Sequence, residues 1–550
     1  MTAANKGNTT SSALSDSTFV AQTVARLFDF FQTSAPWHRR LWGIGTVLGL
    51  NEVVEYSRIQ REGGLSPQGV QYVATTMLRE IHLDPASKPF ADEISKKLKK
   101  IEALKDKGQH LSLSDEHQLQ HLVKRVDDGY LERLVASLKS AEAPQVERTA
   151  RLIASHMLDR GFSPDHLYRW VDKDRYNNES PDLERILDSA IDMNKDSPNR
   201  IWEVIVPCSC PGLPSELPSG IRWMEAREAS DLIEGLKIKR ESPRIDGAFL
   251  LNIAALDPWA AIDSANDLVA RIGSRISVGR AGDAALRTSG IAYVVGRPRE
   301  FKLSRSGRQL EIHSLGRQGA IFGLGEEFAQ LDDAIELASY LETGTPGAAI
   351  TGGWAAIEGL LLYPNEGNHV MAADRLARII TCSLARAEMT SLVYKLVEEG
   401  GSPLAESIRS LNVDSTNYQK VSLLERHLRQ DGHLEFCNPS DQAALDRVKM
   451  IILNPTIDLE RIRLYFQASM RRLYNQRNLI MHGGSFRSVA LKATLRTTPS
   501  LVGAGLDRIA HAQLRDDQPL RPLELAARAE SELSLIGAIG SSRIVDLLGA

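Results

Sequence analysis

Apolar residues recur at three- and four-residue spacing through most of this chain, and that spacing predicts helices. After a Ser-, Thr- and Asn-rich stretch over residues 1–15, read as a flexible tail, Ser15-Asp16-Ser17 offers a helix cap. Phe19, Val20, Leu27, Phe28 and Phe31 follow as a helical stripe. The same style continues to residue 198, interrupted at Gly63-Gly64, Pro85 and Gly161. Val146–Arg160 followed by Gly161-Phe-Ser-Pro164 predicts an αα-hairpin in which Gly161 closes one helix, Ser163 caps the next and Pro164 sits in its first turn. Near residue 200 the texture changes. Trp202–Val206, Phe249–Leu256 and Ile291–Val295 read as strands, Pro207–Pro218 as loop, and Asp257-Pro258 opens a helix to about Ile272. Phe301–Leu303 and Gln309–Ile312 flank a turn and predict a hairpin. From about residue 326 helical patterning returns, over 326–342, 350–362, 370–399, 419–430, 440–452, 458–482 and 520–547. The expected fold class is therefore mainly α: a helical N-terminal region over 16–198, a small α+β domain over 199–322 and a helical bundle over 323–550.

Composition narrows what such a protein does. The 550 residues carry 66 Lys+Arg against 70 Asp+Glu, a net charge of −4, so any contact with nucleic acid must come from a local basic patch. Four cysteines, none in a CxxC pair, exclude a disulfide scaffold and argue against a structural zinc site. The polar N-terminus lacks the apolar core of a secretory signal, and the longest apolar runs, such as 248–256, are far shorter than the roughly 20 residues of a membrane helix. The expectation is a soluble, cytoplasmic protein with no membrane contact.

The segment with chemistry in it is Arg472-Leu-Tyr-Asn-Gln-Arg-Asn-Leu-Ile-Met-His-Gly-Gly484. It closes a long helical pattern that begins after Asn454-Pro455-Thr456 and has Ile462, Phe466, Leu473 and Ile480 on its buried stripe; Gly483-Gly484 stops it. Asn478 and His482 are four apart and share a face, whereas Arg477 diverges from His482 by about 140° but has the reach to swing toward the same ligand. These side chains suit RNA cleavage. Histidine takes or gives the proton that moves at a 2′-hydroxyl or at a leaving oxygen, and arginine holds phosphate oxygens in two-pronged fashion. Asn478 holds the histidine tautomer or the phosphate, and no step calls for a metal or other cofactor. Arg, four residues, His also occurs at Arg151–His156 and Arg308–His313. His156 lies on the apolar side of its helix and reads as a core histidine. Arg308 and His313 fall in an alternating strand, on opposite faces.

Tyr474-Asn-Gln-Arg-Asn-Leu-Ile-Met-His-Gly-Gly484 resembles the signature of HEPN ribonucleases, in the branch called Apea-like HEPN. Gly353-Trp-Ala-Ala-Ile-Glu-Gly-Leu-Leu361 is similar to the first helix of that family's bundle and Asp374-Arg-Leu-Ala-Arg-Ile-Ile380 to the second, so the resemblance covers about 330–510. It implies a metal-independent endoribonuclease acting through an R-x4–6-H motif. The catalytic set would be Arg477, Asn478, His482 and Glu358, with Arg472 and Gln476 contacting substrate. It further implies RNA as partner, a homodimer, and abortive-infection defence, in which residues 1–320 sense a phage-derived trigger. Glu358 also stands out on its own: Trp354, Ile357 and Leu361 form a buried stripe that it completes, so its carboxylate needs a partner, either a core arginine or the Arg477–His482 pair.

Other signals weigh less. Lys96-Lys-Leu-Lys-Lys100, flanked by acids, reads as a solvated helix face. Gly43-Ile-Gly-Thr-Val-Leu-Gly49 lacks the spacing and preceding strand of a dinucleotide loop and reads as a helix-packing site. His38-Arg39-Arg40 between Trp37 and Trp42 reads as an amphipathic helix edge before it reads as a nucleic-acid clamp. Two other functions fit the same residues: an RNA- or nucleotide-binding HEPN module without catalysis, and a helical partner-binding scaffold.

Overall fold

A computed structural model describes residues 12–104, 108–140, 145–177, 181–196, 200–210, 217–238, 246–279, 285–303, 307–323, 328–412, 415–430, 432–483, 487–514, 519–538, 540 and 542–549. It is mainly helical, with one small antiparallel sheet. The chain divides into two compact units. One comprises 1–156, 174–187 and 308–550; the other comprises 157–173 and 188–307. This corrects the expected succession of three domains, because the N-terminal helices and the C-terminal helices share one unit. The expected boundary at 322 also moves, to 307.

Charge shows why the helices at the two ends of the chain cannot be separated. Arg26, with a fully buried side chain, holds Asp29 at 2.5 Å and Glu147 at 2.9 Å. Glu147 also receives Arg447 at 3.0 Å and Arg151 at 2.9 Å. Arg447 reaches on to Glu388 at 3.0 Å, Glu388 takes Arg39 at 3.1 Å, and Arg39 meets Asp441 at 2.7 Å. Four guanidinium groups thus face four carboxylates in the interior, and each would be expensive to bury without its partners. Trp42 packs edge-on against Phe466 at 4.9 Å, and Trp37 lies 6.3 Å from the same ring. The His38–Arg40 segment is accordingly neither a helix edge nor a nucleic-acid clamp: Trp37–Arg39 is a 3-10 turn inside the seam, with His38 bonded to Ser391 at 3.1 Å. Burial pushes the His38 imidazole down to about 4.

Within the same unit, the helices Pro346–Leu361, Val370–Glu399, Pro455–Gly483 and Leu491–Gln513 pack around a common apolar core. The last of these was not legible in the sequence, because Thr497-Thr498-Pro499 reads as a breaker. Pro499 has no N–H to offer the carbonyl four residues back. Nearby hydroxyls stay inside the helix: Thr494, Thr497 and Thr498 donate to the carbonyls of Ala490, Ala493 and Thr494 at 2.8, 3.0 and 2.8 Å. A Cβ on Gly503 would stand 2.8 Å from the backbone nitrogen of Glu311, so glycine here lets the segment after residue 307 lie against the helix. That segment is not the expected second hairpin strand. Leu310 N–H donates to Glu342 at 2.7 Å, and His313–Arg317 is a short helix. Arg308 and His313 are therefore not strand residues, and Arg308 donates to the carbonyls of Leu341 and Gly344 at 2.9 Å each. The expected helix over 520–547 resolves into Pro522–Leu535 and a 3-10 turn at Ile544–Asp546.

Other expectations hold. Asp16 caps Ser17–Phe31 by accepting from Thr18 and Phe19. Pro164–Asn177 is capped by Ser163, whose hydroxyl accepts from His166 N–H at 3.2 Å. A Cβ on Gly49 would meet the Met77 sulfur at 2.4 Å, as a packing glycine requires. Lys97 and Lys100 of the basic run both pair with Asp115.

The second unit is built on strands β1 (Arg200–Ser209), β2 (Ile221–Glu225), β3 (Gly247–Ala255), β4 (Arg287–Thr288), β5 (Ile291–Val294) and β6 (Glu300–Lys302). Their order is β2-β3-β1-β5-β6, with β4 also on β1 and every pair antiparallel. Along β1, Trp202, Val204, Val206 and Cys208 face the helix Pro258–Gly279, while Ile205 faces the side covered by Ala226–Glu234. The period of two sorts the strand between two cores. β2 and its following helix were missed, since Arg222 and Glu225 break up a run of only five residues.

Two outcomes follow for stability. Glu388→Ala leaves Arg39 and Arg447 facing each other in a buried site, so unfolding in urea should be easier by about 3–5 kcal/mol. His38 is neutral when folded and takes a proton when unfolded, so stability should fall as pH drops from 6.5 toward about 4. His38→Gln should flatten the unfolding midpoint across that window. Glu388, opposed by burial but held down to about 2 by Arg447, His38 and Arg39, adds its own loss at lower pH.

Candidate functional site

The motif ends the helix Pro455–Gly483, which has 29 residues and is about 43 Å long. Its faces have separate duties. Phe466, Met470, Leu473 and Ile480 enter the core. Ser469, Arg472 and Gln476 lie on another face, with Ser469 bonded to the Trp42 carbonyl and Arg472 and Gln476 turned to the helix Thr46–Arg61. Arg472 Nε stands 3.0 Å from both oxygens of Glu52, and Tyr56 donates to Glu52 at 2.9 Å. Gln476 Nε2 donates to Tyr56 Oη at 3.1 Å and to Ser488 Oγ at 2.8 Å, and Ser488 in turn donates to Glu55 at 2.7 Å. Burial raises the Glu55 carboxyl, and burial together with Glu52 raises the Tyr56 hydroxyl. Arg472 and Gln476 are buried and engaged in this chain, so the expectation that they contact substrate is corrected: they anchor the motif helix. The sequence showed their polarity but not that Glu52, 420 residues away, neutralises the arginine.

A third face carries Arg471, Asn478 and His482, which fall within about 40° of one another on an ideal helix. Arg471 makes a two-pronged contact with the buried Asp374, at 2.7 and 2.5 Å, and its guanidinium lies 4.0 Å from the centre of the Tyr72 ring. The pattern alone does not say that both adjacent arginines, Arg471 and Arg472, find buried carboxylates on different helices. Past this anchor the helix runs outward: Arg477 and Asn478 are half-buried, Met481 and His482 exposed. Arg477 Nη1 donates to Asn478 Oδ1 at 3.1 Å. The side chain of Asn478 is thus already occupied on its acceptor side, leaving its amide and the rest of the arginine fork to face a ligand.

Glu358 finds neither a core arginine nor the motif. Its carboxylate pairs with His369 Nδ1, just before the helix Val370–Glu399. Asp374 bonds Arg471 and Arg378 lies in the field of Glu460, so this helix runs antiparallel to the motif helix. Its start and the motif therefore face the same end of the bundle, and the His369–Glu358 pair is a second imidazole on that end. Sequence reasoning missed it because residues 358 and 369 are separated by a loop with no helical register between them. His511, the nearest histidine downstream, ends the next helix about 30 Å of rise from its start, near Gln318.

Cys208 is buried, and its thiol is pushed up to about 12 by burial, so it is no ready thiolate; Cys437 is the exposed one. Among the described residues no group of three or more His, Cys, Asp and Glu is placed to hold a metal ion, and no helix is long and apolar enough to cross a membrane. No protein-family model, no curated protein and no solved structure matches this chain.

The anchoring assignment has a direct outcome. Glu52→Ala strands a buried guanidinium and should lower stability by about 3–5 kcal/mol, measured by chemical denaturation. Glu52→Gln should recover part of it. Equal stability of wild type and Glu52→Ala would return Arg472 to the list of substrate contacts.

Proposed function

We propose that the protein is a metal-independent endoribonuclease of the HEPN type. The observation that carries the reading is the Arg477–Asn478–His482 set: polar, outward-facing at its tip, and borne by a helix whose preceding turns are fixed by the Arg472–Glu52 and Arg471–Asp374 pairs. In the reaction, the ribose 2′-oxygen attacks the adjacent phosphorus and its proton passes to a base. The bond from phosphorus to the 5′-oxygen breaks, and that oxygen takes a proton from an acid. The products are a 2′,3′-cyclic phosphate and a 5′-hydroxyl. His482 serves as one proton-transfer group, and Arg477 clamps the phosphate and meets the charge that grows on it. Asn478 keeps Arg477 aimed through their hydrogen bond.

The reaction needs a second proton-transfer group. A two-fold dimer through the bundle over 330–510 supplies it as the other copy's His482, the arrangement the HEPN reading favours. His369 of the same chain is the alternative source. The helices Pro346–Leu361, Val370–Glu399, Pro455–Gly483 and Leu491–Gln513 form the catalytic bundle in this reading. The N-terminal helices, which grip the motif helix through Glu52 and Tyr56, are where a phage-derived trigger would act, and RNA destruction in the cytoplasm would abort the infection.

Purified protein should cut mixed RNA in excess EDTA and leave cyclic-phosphate ends. His482→Ala and Arg477→Ala should each lose at least ~10²-fold in rate with the fold intact. Binding without cleavage in the wild type would favour the non-catalytic module. Strict dependence on a divalent ion with 5′-phosphate ends would sink the reading. For the dimer, specific activity should fall on dilution and His369→Ala should leave it within a few-fold. Concentration-independent activity that His369→Ala abolishes would instead place both groups in one chain.

A further inference from the structure

We propose that an arginine–tryptophan cluster in the sheet unit is a binding site for single-stranded nucleic acid, held through its phosphates. Arg200 and Arg297 lie 4.4 and 5.4 Å from the ring centre of Trp202, and Arg299 and Arg169 lie 4.9 and 5.4 Å from that of Trp259. Arg299 is also 5.1 Å from Phe301, and His166 sits 5.8 Å from Trp259. Four elements contribute: the helix Pro164–Asn177 gives His166 and Arg169, the helix Pro258–Gly279 gives Trp259, β1 gives Arg200 and Trp202, and the β5–β6 connection gives Arg297 and Arg299. Arg297 and Arg299 share one short connection, in which Arg299 N–H donates to the Arg297 carbonyl at 2.8 Å, so the two tryptophan sites adjoin.

The charge of this patch is unspent. Elsewhere in the chain, ring-stacked arginines spend their N–H groups on carboxylates, as Arg26, Arg375 and Arg471 do on Glu147, Glu366 and Asp374, or on backbone carbonyls, as Arg133 and Arg386 do. Among the described residues, Arg169, Arg200, Arg297 and Arg299 form no such ion pair. The nearby Asp257 is committed to Ser163 N–H, Ser163 Oγ and Ala260 N–H at 2.7, 2.8 and 2.9 Å. Asp165 is a carboxylate in the field of Arg169 and Arg299. Burial and the like charge of Arg169 both disfavour the Arg299 cation, and its Nε is buried without a hydrogen-bond partner. A fold that gathers guanidinium groups against one another, with a donor unfilled, is complementary to an anion that is not part of it.

The ligand class follows from the geometry. A guanidinium stacked on an indole keeps its N–H edge for two-pronged phosphate contact and its outer plane for a base. Two adjoining arginine–tryptophan sites suit successive phosphates of a strand better than one isolated phosphate ester. The site does not use the Arg477–His482 motif and stands whether or not that motif cleaves RNA.

The test is fluorescence anisotropy of the full-length protein with labelled single-stranded 2′-O-methyl RNA, which cannot be cut by 2′-hydroxyl attack. Arg169 and Arg297 are exposed, so Arg169→Ala/Arg297→Ala should fold as the wild type does, checked by circular dichroism. Affinity should drop by about tenfold or more, and the slope of log K against log salt should shrink by about 1.4, the share of two phosphate contacts on a single strand. Restoring lysine at both positions should recover the slope but only part of the affinity. No binding by the wild type, or equal affinity and slope in the double alanine variant, would overturn the site. Full competition by adenosine monophosphate at the same phosphate concentration would overturn the strand in favour of a nucleotide. Tighter binding of a duplex would overturn the single strand.

Discussion

Buried carboxylates shared between arginines from distant parts of the chain are the constraint on which the larger unit depends. Glu147 is half-buried, and desolvation alone would favour its neutral acid. Arg26, Arg447 and Arg151 together hold it well below the ordinary carboxylate range. No single partner suffices, since each guanidinium is itself taken out of water. The helices that carry these groups therefore come together as a set. Apolar contact alone would tolerate a looser arrangement, because burial has no direction, whereas fork-shaped hydrogen bonds fix angle and register.

The same logic reaches the motif helix. Its interior face is secured by the Glu52–Tyr56–Gln476–Ser488–Glu55 chain of hydrogen bonds and its flank by Asp374 and Tyr72. A side chain at a helix end is only as well aimed as the turns before it, and here those turns are immobilised on two sides. At the motif end, Arg477 and Asn478 are half-buried and Met481 and His482 emerge in the last turn. Rigid support beneath and open access above is the combination that a site handling a long polymer needs.

Local patterning carried the parts of this fold that depend on neighbours in sequence. The cap at Asp16, the Gly161–Pro164 corner, the long helices at 370–399 and 455–483 and the β1 and β3 strands were all legible in it, because each is decided by spacing or by capping chemistry. What failed were features decided at a distance. Thr497-Thr498-Pro499 looks like an end until the surrounding core is known. Gln309–Ile312 alternates like a strand but finds its bonding partner on a helix instead of a sheet. The Trp37–Trp42 segment reads as an amphipathic helix edge, yet Arg39 meets Glu388, 349 residues away, and Asp441 beyond it. The motif itself was visible as a string of residue types; that Arg472 and Gln476 face inward, and that Glu358 prefers His369, depended on packing the string does not encode.

The separation of partners along the chain has a consequence for synthesis. Glu147 waits 300 residues for Arg447, and Glu52 waits 420 for Arg472. At ribosomal rates of about 5–20 residues per second, intervals of that length last roughly 15–85 seconds, during which Glu147 stands without Arg447 and Glu52 without Arg472. The sheet unit lies between and has its own core, so it is free to form while the rest is pending. The larger unit instead closes only after the motif helix has left the ribosome. A nascent chain thus carries its first helices as an open clamp, and completion of the clamp and arrival of Arg477 and His482 are one late event.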